Sequence, residues 1–138
     1  MTSNQNSTPQ GYSGKPLYQK LGLKPGLRCL PIHPPQNYDA LIDGAEGIEF
    51  VGPSDAADVV HVFCANRRVL EQSKDKALAQ VADKGMLWVS WPKKSSKLFV
   101  DLTEDGIREL LLSETWVDVK VCAVDQDWSG LKFLRRRT

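Results

Sequence analysis

What the chain lacks narrows it first. Its 138 residues include three cysteines, Cys29, Cys64 and Cys122, which are odd in number, far apart and each set in an apolar run. That excludes the disulfide framework of a small secreted scaffold and the paired spacing of a zinc site, and the three read as reduced core thiols. No charge of one sign dominates: 18 lysines and arginines face 17 aspartates and glutamates, a formal net charge of +1. The chain as a whole therefore has no general attraction to nucleic acid or to an anionic membrane, and any such binding must come from local clusters. No apolar run approaches the ~20 residues of a membrane span. Met1 to Gly14 has neither a basic start nor an apolar stretch, so no secretory signal is expected and the expected location is the cytoplasm. Glycine is also missing where it could matter most, with none from Leu27 to Asp43.

What is present divides into a polar tail and one domain. Residues 1–14, rich in Ser, Thr, Asn, Gln and Gly, are expected to be disordered because they carry too little apolar surface to offset the entropy of ordering. Residues 15–138 suffice for one ordinary domain. Pro16 to Leu21 predicts a short helix ended by Gly22. Leu27 to Ile32 predicts a strand closed by His33-Pro34-Pro35, and Tyr38 to Ile42 a brief helix. Ile48 to Val51 reads as a second strand, with Gly52-Pro53-Ser54 turning the chain. Val59 to Cys64 is apolar on both faces, as an internal parallel strand covered on each side would be. From Arg67 to Asp83, Val69, Leu70, Ala77, Leu78 and Val81 recur at helical spacing, and Gly85 predicts the end of that helix. Met86 to Trp91 predicts another internal strand. Asp101 followed by Glu104 reads as a capping box for a helix buried through Ile107, Leu110 and Leu111. Trp116 to Val124 and Leu131 to Arg135, joined by turn residues, predict a closing hairpin.

Strands alternating with helices and followed by one hairpin imply an α/β fold: an open, mostly parallel, Rossmann-like sheet of about six strands with helices on both faces and a C-terminal antiparallel hairpin. Leu23-Lys24-Pro25-Gly26 before the first strand, Asp58-Val59-Val60 opening the central one, Lys84-Gly85-Met86-Leu87-Trp88-Val89, and the ending Trp116-Val117-Asp118-Val119 resemble the segments of a class I methyltransferase domain. The span from Gly11 to Arg137 also resembles a family of small bacterial proteins of unknown function, most distinctively in Trp91-Pro92-Lys93-Lys94-Ser95 and Asp125-Gln126-Asp127-Trp128-Ser129-Gly130. Against the methyltransferase pattern, too few residues separate the second strand from Val59 for a helix and strand, so the sheet should be about one strand short. The turn that the resemblance would make Gly-x-Gly-x-Gly reads instead Pro31-Ile32-His33-Pro34-Pro35-Gln36-Asn37-Tyr38. Its three prolines remove three backbone donors, and no acidic residue closes the second strand to hold ribose hydroxyls.

Ligands of open parallel sheets bind beyond the carboxyl ends of the strands. That rule selects four loops, carrying His33, Asn37 and Tyr38; Asn66 and Arg67; Trp91, Lys93, Lys94, Ser95 and Ser96; and Asp125, Asp127 and Trp128. In the third, two ammonium groups and two hydroxyls beside an indole suit a phosphate or carboxylate. Alternatively, Lys93 and Lys94 are a solvated turn paired with Asp125 or Asp127, and Trp91 and Trp128 pack the sheet edge. His33 has the side chain and exposure of a general base, whereas His61 and Cys64 read as core. The basic ending Arg135-Arg136-Arg137 is short and has no aromatic platform, so nucleic acid is not an expected partner. The functional expectation is a non-catalytic binding or regulatory protein taking an anionic small molecule or a partner protein, with no cofactor, metal or membrane. The alternative is a divergent transferase using S-adenosylmethionine or another anionic cosubstrate, with His33 or Asp125 moving a proton.

Overall fold

The computed structural model describes residues 15–136; the polar tail and Arg137 lie outside them. Ten elements follow one another: α1 (Leu17–Leu21), β1 (Arg28–Ile32), α2 (Tyr38–Leu41), β2 (Glu49–Phe50), β3 (Ala57–Phe63), α3 (Arg67–Gln80), β4 (Val81–Pro92), α4 (Glu104–Leu111), β5 (Trp116–Ala123) and β6 (Trp128–Arg135). They build a six-stranded sheet in the order β2-β1-β3-β4-β6-β5. All pairings are parallel except those of β6, which runs antiparallel to both β4 and β5. β5 is therefore parallel to the rest, and all five parallel strands end on one side.

The two-sided apolar strands generate two cores. On one face, Leu30, Val60, Val62, Leu87, Val89 and Phe133 pack under Leu70 and Ala77 of α3 and Ile107 and Leu111 of α4. On the other, Cys29, Val59, Phe63 and Trp88 pack against Leu17 and Leu21 of α1 and Tyr38 of α2. All three cysteines are free and buried, and burial raises the thiol pKa of Cys29 to about 11 and of Cys64 to about 12, so each is an uncharged packing group.

The missing strand has a geometric reason. β2 lies two strand spacings from β3, with β1 between them, and only Val51 to Ala56 connect the two. The chain must cross ~10 Å of sheet and descend to Ala57 without a helix, which it can do only because β2 stops at Phe50, opposite Cys29. Glu49 N and Val51 N donate to the carbonyls of Leu27 and Cys29, so the odd residues of β1 face the β2 edge. Pro31 continues that parity beyond the last β2 bond, placing a residue without an N–H on an open edge. A donorless edge cannot recruit another strand there.

Two boundaries differ from expectation. α3 ends at Gln80 and β4 begins at Val81; Gly85 ends no helix. It sits in an irregularity where β4 advances from Val81 to Met86 while β3 advances from Ala57 to Val59. Lys84 adopts φ +66° there, and a Cβ on Gly85 would lie 2.8 Å from the Asp58 carbonyl and 2.9 Å from that of Ala82. The glycine permits a bulge and a close backbone approach. The second is the cap of α4, which is Thr103, accepting from Gly106 N, and not Asp101. Asp101 instead accepts the Arg67 amide at 2.9 Å, tying the start of α3 to the loop before α4. Arg135 is no tail residue either. Its guanidinium lies 4.7 Å from the Trp116 ring and donates to the carbonyls of Val81 and Ala82, while Arg136 holds Ser113 O.

Candidate functional site

Of the four selected loops, the one after β1 and the one after β4 open on two separate concavities, and Asn66 and Arg67 line neither. The 91–96 and 125–128 loops are bound together: Lys93 N donates to Asp127 O, and Ser96 Oγ donates to Asp127 Oδ1, each at 2.8 Å. Asp125 closes its own turn, its Oδ1 accepting the amides of Asp127 and Trp128, both at 2.8 Å. Both carboxylates are thus committed to shaping the loop. Neither pairs with Lys93 or Lys94, which make no ion pair among the described residues.

Beside this double loop opens a cleft of about 400 Å³ lined by Trp91, Lys93, Lys94, Thr103, Glu104, Asp105 and Ser129. β4 delivers Trp91 and the loop after it the lysines, while Thr103 caps α4 and the first turn of that helix delivers the two acids. Arg108, one turn on, engages Glu104 at 2.5 Å and Asp105 at 3.3 Å and reaches Asp118 at 2.9 Å. The Asp118 and Glu104 contacts raise its pKa still further, so this cation is permanent. Arg108, Lys93 and Lys94 balance the three carboxylates in formal charge, but the acids gather around Arg108 and the two lysines stand apart without an ion pair, so the cleft has a positive side at Lys93 and Lys94. Trp91 is largely buried but forms part of the wall; Ser95 is exposed.

His33 lies elsewhere. Standing at φ +55° directly after β1, it lines a groove of about 320 Å³ with Ile32, Pro53, Gln72, Ser73, Lys76 and Gln80. This groove runs along α3 where the short β2–β3 connection leaves the sheet uncovered. A left-handed conformation costs a residue with a Cβ roughly 1–2 kcal/mol, and the proline pair that follows cannot supply amides for a ligand. Asn37 is exposed at the start of α2 and caps nothing with its side chain.

The remaining selected residues serve the framework. Asn66 caps α3, accepting Val69 N at 3.0 Å. Arg67 pairs with Glu71 and Glu109, both at 3.3 Å. Trp128 is half-buried, edge-on to Phe63 with ring centroids 5.2 Å apart. Tyr38 is buried, its hydroxyl 3.0 Å from His61 Nδ1, while His61 Nε2 lies 2.7 Å from Ser90 Oγ. Cys29 is a further partner of that hydroxyl. A neutral imidazole donates from one nitrogen and accepts at the other, so the two hydroxyls saturate the ring. Burial lowers the His61 pKa to about 3, which keeps it neutral, and the chain closes beneath the strand ends without reaching solvent. Sequence reasoning missed Thr103, Glu104, Asp105 and Ser129. The only available signal was that a helix starting shortly after β4 must turn its amino end back over that strand.

No protein-family model and no curated protein matches the sequence. Solved structures do. The N-methyltransferase NodS from Bradyrhizobium japonicum superposes with a TM-score of 0.56 at 14% identity, over 88% of this chain and 92% of that one. The DhpI-SAH complex gives 0.56 at 11% identity, over 87% and 82%. A Streptococcus agalactiae protein of the NADB-Rossmann superfamily gives 0.52 at 14% identity, over 94% and 72%. At such identities the likeness shows the fold, which is Rossmann-like and of the class I methyltransferase type.

Proposed function

We propose that this chain is a non-catalytic binding or regulatory protein that uses a methyltransferase-like scaffold to hold an anionic group of a small molecule or partner protein. The site is the cleft between the 91–96 loop and the start of α4. One observation carries the reading: Lys93 and Lys94 have no carboxylate partner, although two carboxylates line the same cleft and both are held by Arg108. A carboxylate or phosphate entering it meets two ammonium donors and the wall of Trp91, with Glu104 and Asp105 across the cleft paired to Arg108. The prolines after β1 support a binding role over cofactor chemistry, because they replace the amides that a nucleotide-type pocket needs. Lys93→Ala with Lys94→Ala is expected to abolish capture of the partner or ligand from lysate while shifting the melting temperature by no more than a few degrees, since Lys94 is exposed, Lys93 is only half-buried and neither makes an ion pair among the described residues. Undiminished capture by the double variant would refute the assignment of the site.

The second reading, a divergent transferase, draws on one observation, that the fold is shared with an N-methyltransferase and with a protein crystallised in complex with SAH. In that reading S-adenosylmethionine would occupy the strand ends near His33. Calorimetric titration of the full chain with S-adenosylmethionine separates the two: no heat of binding is expected at millimolar ligand, and a micromolar dissociation constant would favour the transferase.

A further inference from the structure

Opposite charges face each other across the Lys93–Lys94 cleft without meeting. Lys93 and Lys94 stand on one side and Glu104 and Asp105 on the other, yet neither lysine nitrogen lies within 4.0 Å of a carboxylate oxygen across the opening. Each wall is anchored from outside the cleft. The loop that carries the lysines is fixed by Lys93 N on Asp127 O and by Ser96 Oγ on Asp127 Oδ1, each at 2.8 Å. The acids are held from behind by Arg108, which Asp118 holds in turn at 2.9 Å. The gap of about 400 Å³ between the walls is therefore part of the framework.

Arg108 takes only one oxygen of each acid, Oε2 of Glu104 and Oδ1 of Asp105. The second oxygens, Glu104 Oε1 and Asp105 Oδ2, accept no hydrogen bond among the described residues, so each acid keeps an acceptor for another cation. Both are open to solvent, the Asp105 side chain at 91% exposure and that of Glu104 at 40%. A simple anion drawn to the lysines meets the repulsion of the two acids, and a simple cation drawn to the acids meets that of the lysines. A molecule with a charge of each sign is repelled at neither end. Because the walls do not touch, its charges must stand apart.

We propose that the ligand of this cleft is a small zwitterion with its charges at opposite ends, its carboxylate at Lys93 and Lys94 and its ammonium group at Glu104 and Asp105. The inference rests on the cleft being the binding site proposed above, and it narrows the ligand from any anion to one that also carries a cation. Trp91 and Ser129, cross-strand partners on β4 and β6, line the space for the carbon chain between the two ends. A volume of this size suits a small molecule.

The test is calorimetric titration of the full chain, at constant ionic strength, with γ-aminobutyrate, butyrate and n-butylamine, which share a carbon chain and differ in their charged ends. γ-Aminobutyrate is expected to bind at least about tenfold more tightly than either of the others. Asp105→Asn, at an exposed position that leaves the Thr103 cap intact, should lower γ-aminobutyrate affinity several-fold without weakening butyrate. Lys93→Ala with Lys94→Ala should remove the binding of both. Butyrate binding through the lysines as tightly as γ-aminobutyrate would overturn the zwitterion and leave the cleft standing as an anion site. Absence of binding by all three compounds would also overturn it, as would γ-aminobutyrate binding that survives the loss of both lysines. Capture by the lysine variant then decides separately whether the cleft is a binding site at all.

Discussion

Trp88→Ala is expected to destabilise the protein by about 3–5 kcal/mol, which for a chain of this size lowers the melting temperature by roughly 10–20 °C. The indole has no solvent exposure. It sits in the middle of the sheet, with His61 and Lys132 as its Cα partners, and it bonds the last residue of α1, Leu21. That five-residue helix has no side-chain cap at its start and is far too short to persist alone. It stays because Leu17 and Leu21 are buried against the sheet and because Trp88 Nε1 donates to Leu21 O at 3.0 Å. Alanine would leave a cavity over the sheet and an unpaired carbonyl at the helix end. Trp88→Phe separates the two effects: most of the volume returns, while the Leu21 carbonyl stays unpaired at a cost of about 1–3 kcal/mol. Urea denaturation of both variants measures the difference, and a phenylalanine variant as unstable as the alanine one would show that the hydrogen bond to Leu21, lost in both, dominates over the filled volume. Given a typical total stability of about 5–15 kcal/mol, the alanine variant stands near the edge of folding.

The order of elements, the central place of Val59 to Cys64 and the closing hairpin were all legible, because apolar periodicity and turn residues are local signals. What local signals could not supply was the partner of each residue. Gly85 announced a break, but the same residue ends a helix or permits a bulge. The choice here was made by Asp58 across the strand pair and by Arg135, which satisfies the carbonyls of Val81 and Ala82 from the far end of the chain. Asp101 had the chemistry of a cap and was taken up by the amide of Arg67, leaving the role to Thr103.

The candidate site followed the same division. Strand-end loops were correctly placed on one side of the sheet, since parallel strands leave no other choice. Yet Asn66, Asp125 and Asp127, polar and well positioned on paper, hold a helix start and a loop. Short polar side chains hydrogen-bond their own backbone wherever the chain turns, so a strand-end loop rich in them is as much self-supporting as ligand-directed. Lys93 and Lys94 were left without an ion pair because the neighbouring carboxylates are taken up by loop amides, by Ser96 and by Arg108.

The acid limb of the stability curve carries the other large expected effect. Folding buries His61 completely and lowers its pKa from 6.5 to about 3, with desolvation the cause. In the unfolded chain the ring takes up a proton below pH 6.5, whereas the folded protein refuses it until about pH 3. The unfolded state therefore binds more protons across that window, and stability falls as pH falls through it, by an amount on the order of 4 kcal/mol when the whole window is traversed. Asp58 acts later. Its carboxylate accepts the Arg28 amide and pairs with the Arg28 guanidinium, which hold its pKa below the ordinary 3.8, so its contribution is lost only as pH drops beneath that value. His61→Gln should lower stability at pH 7, because the amide cannot span Tyr38 and Ser90 as the ring does. It should also flatten the decline between pH 6.5 and 4, since glutamine has no proton to take up. Urea titrations of both proteins at pH 7, 5.5 and 4 measure the two slopes. An equal decline in the variant would mean that some other group drives the acid loss and that His61 is not held neutral by its burial.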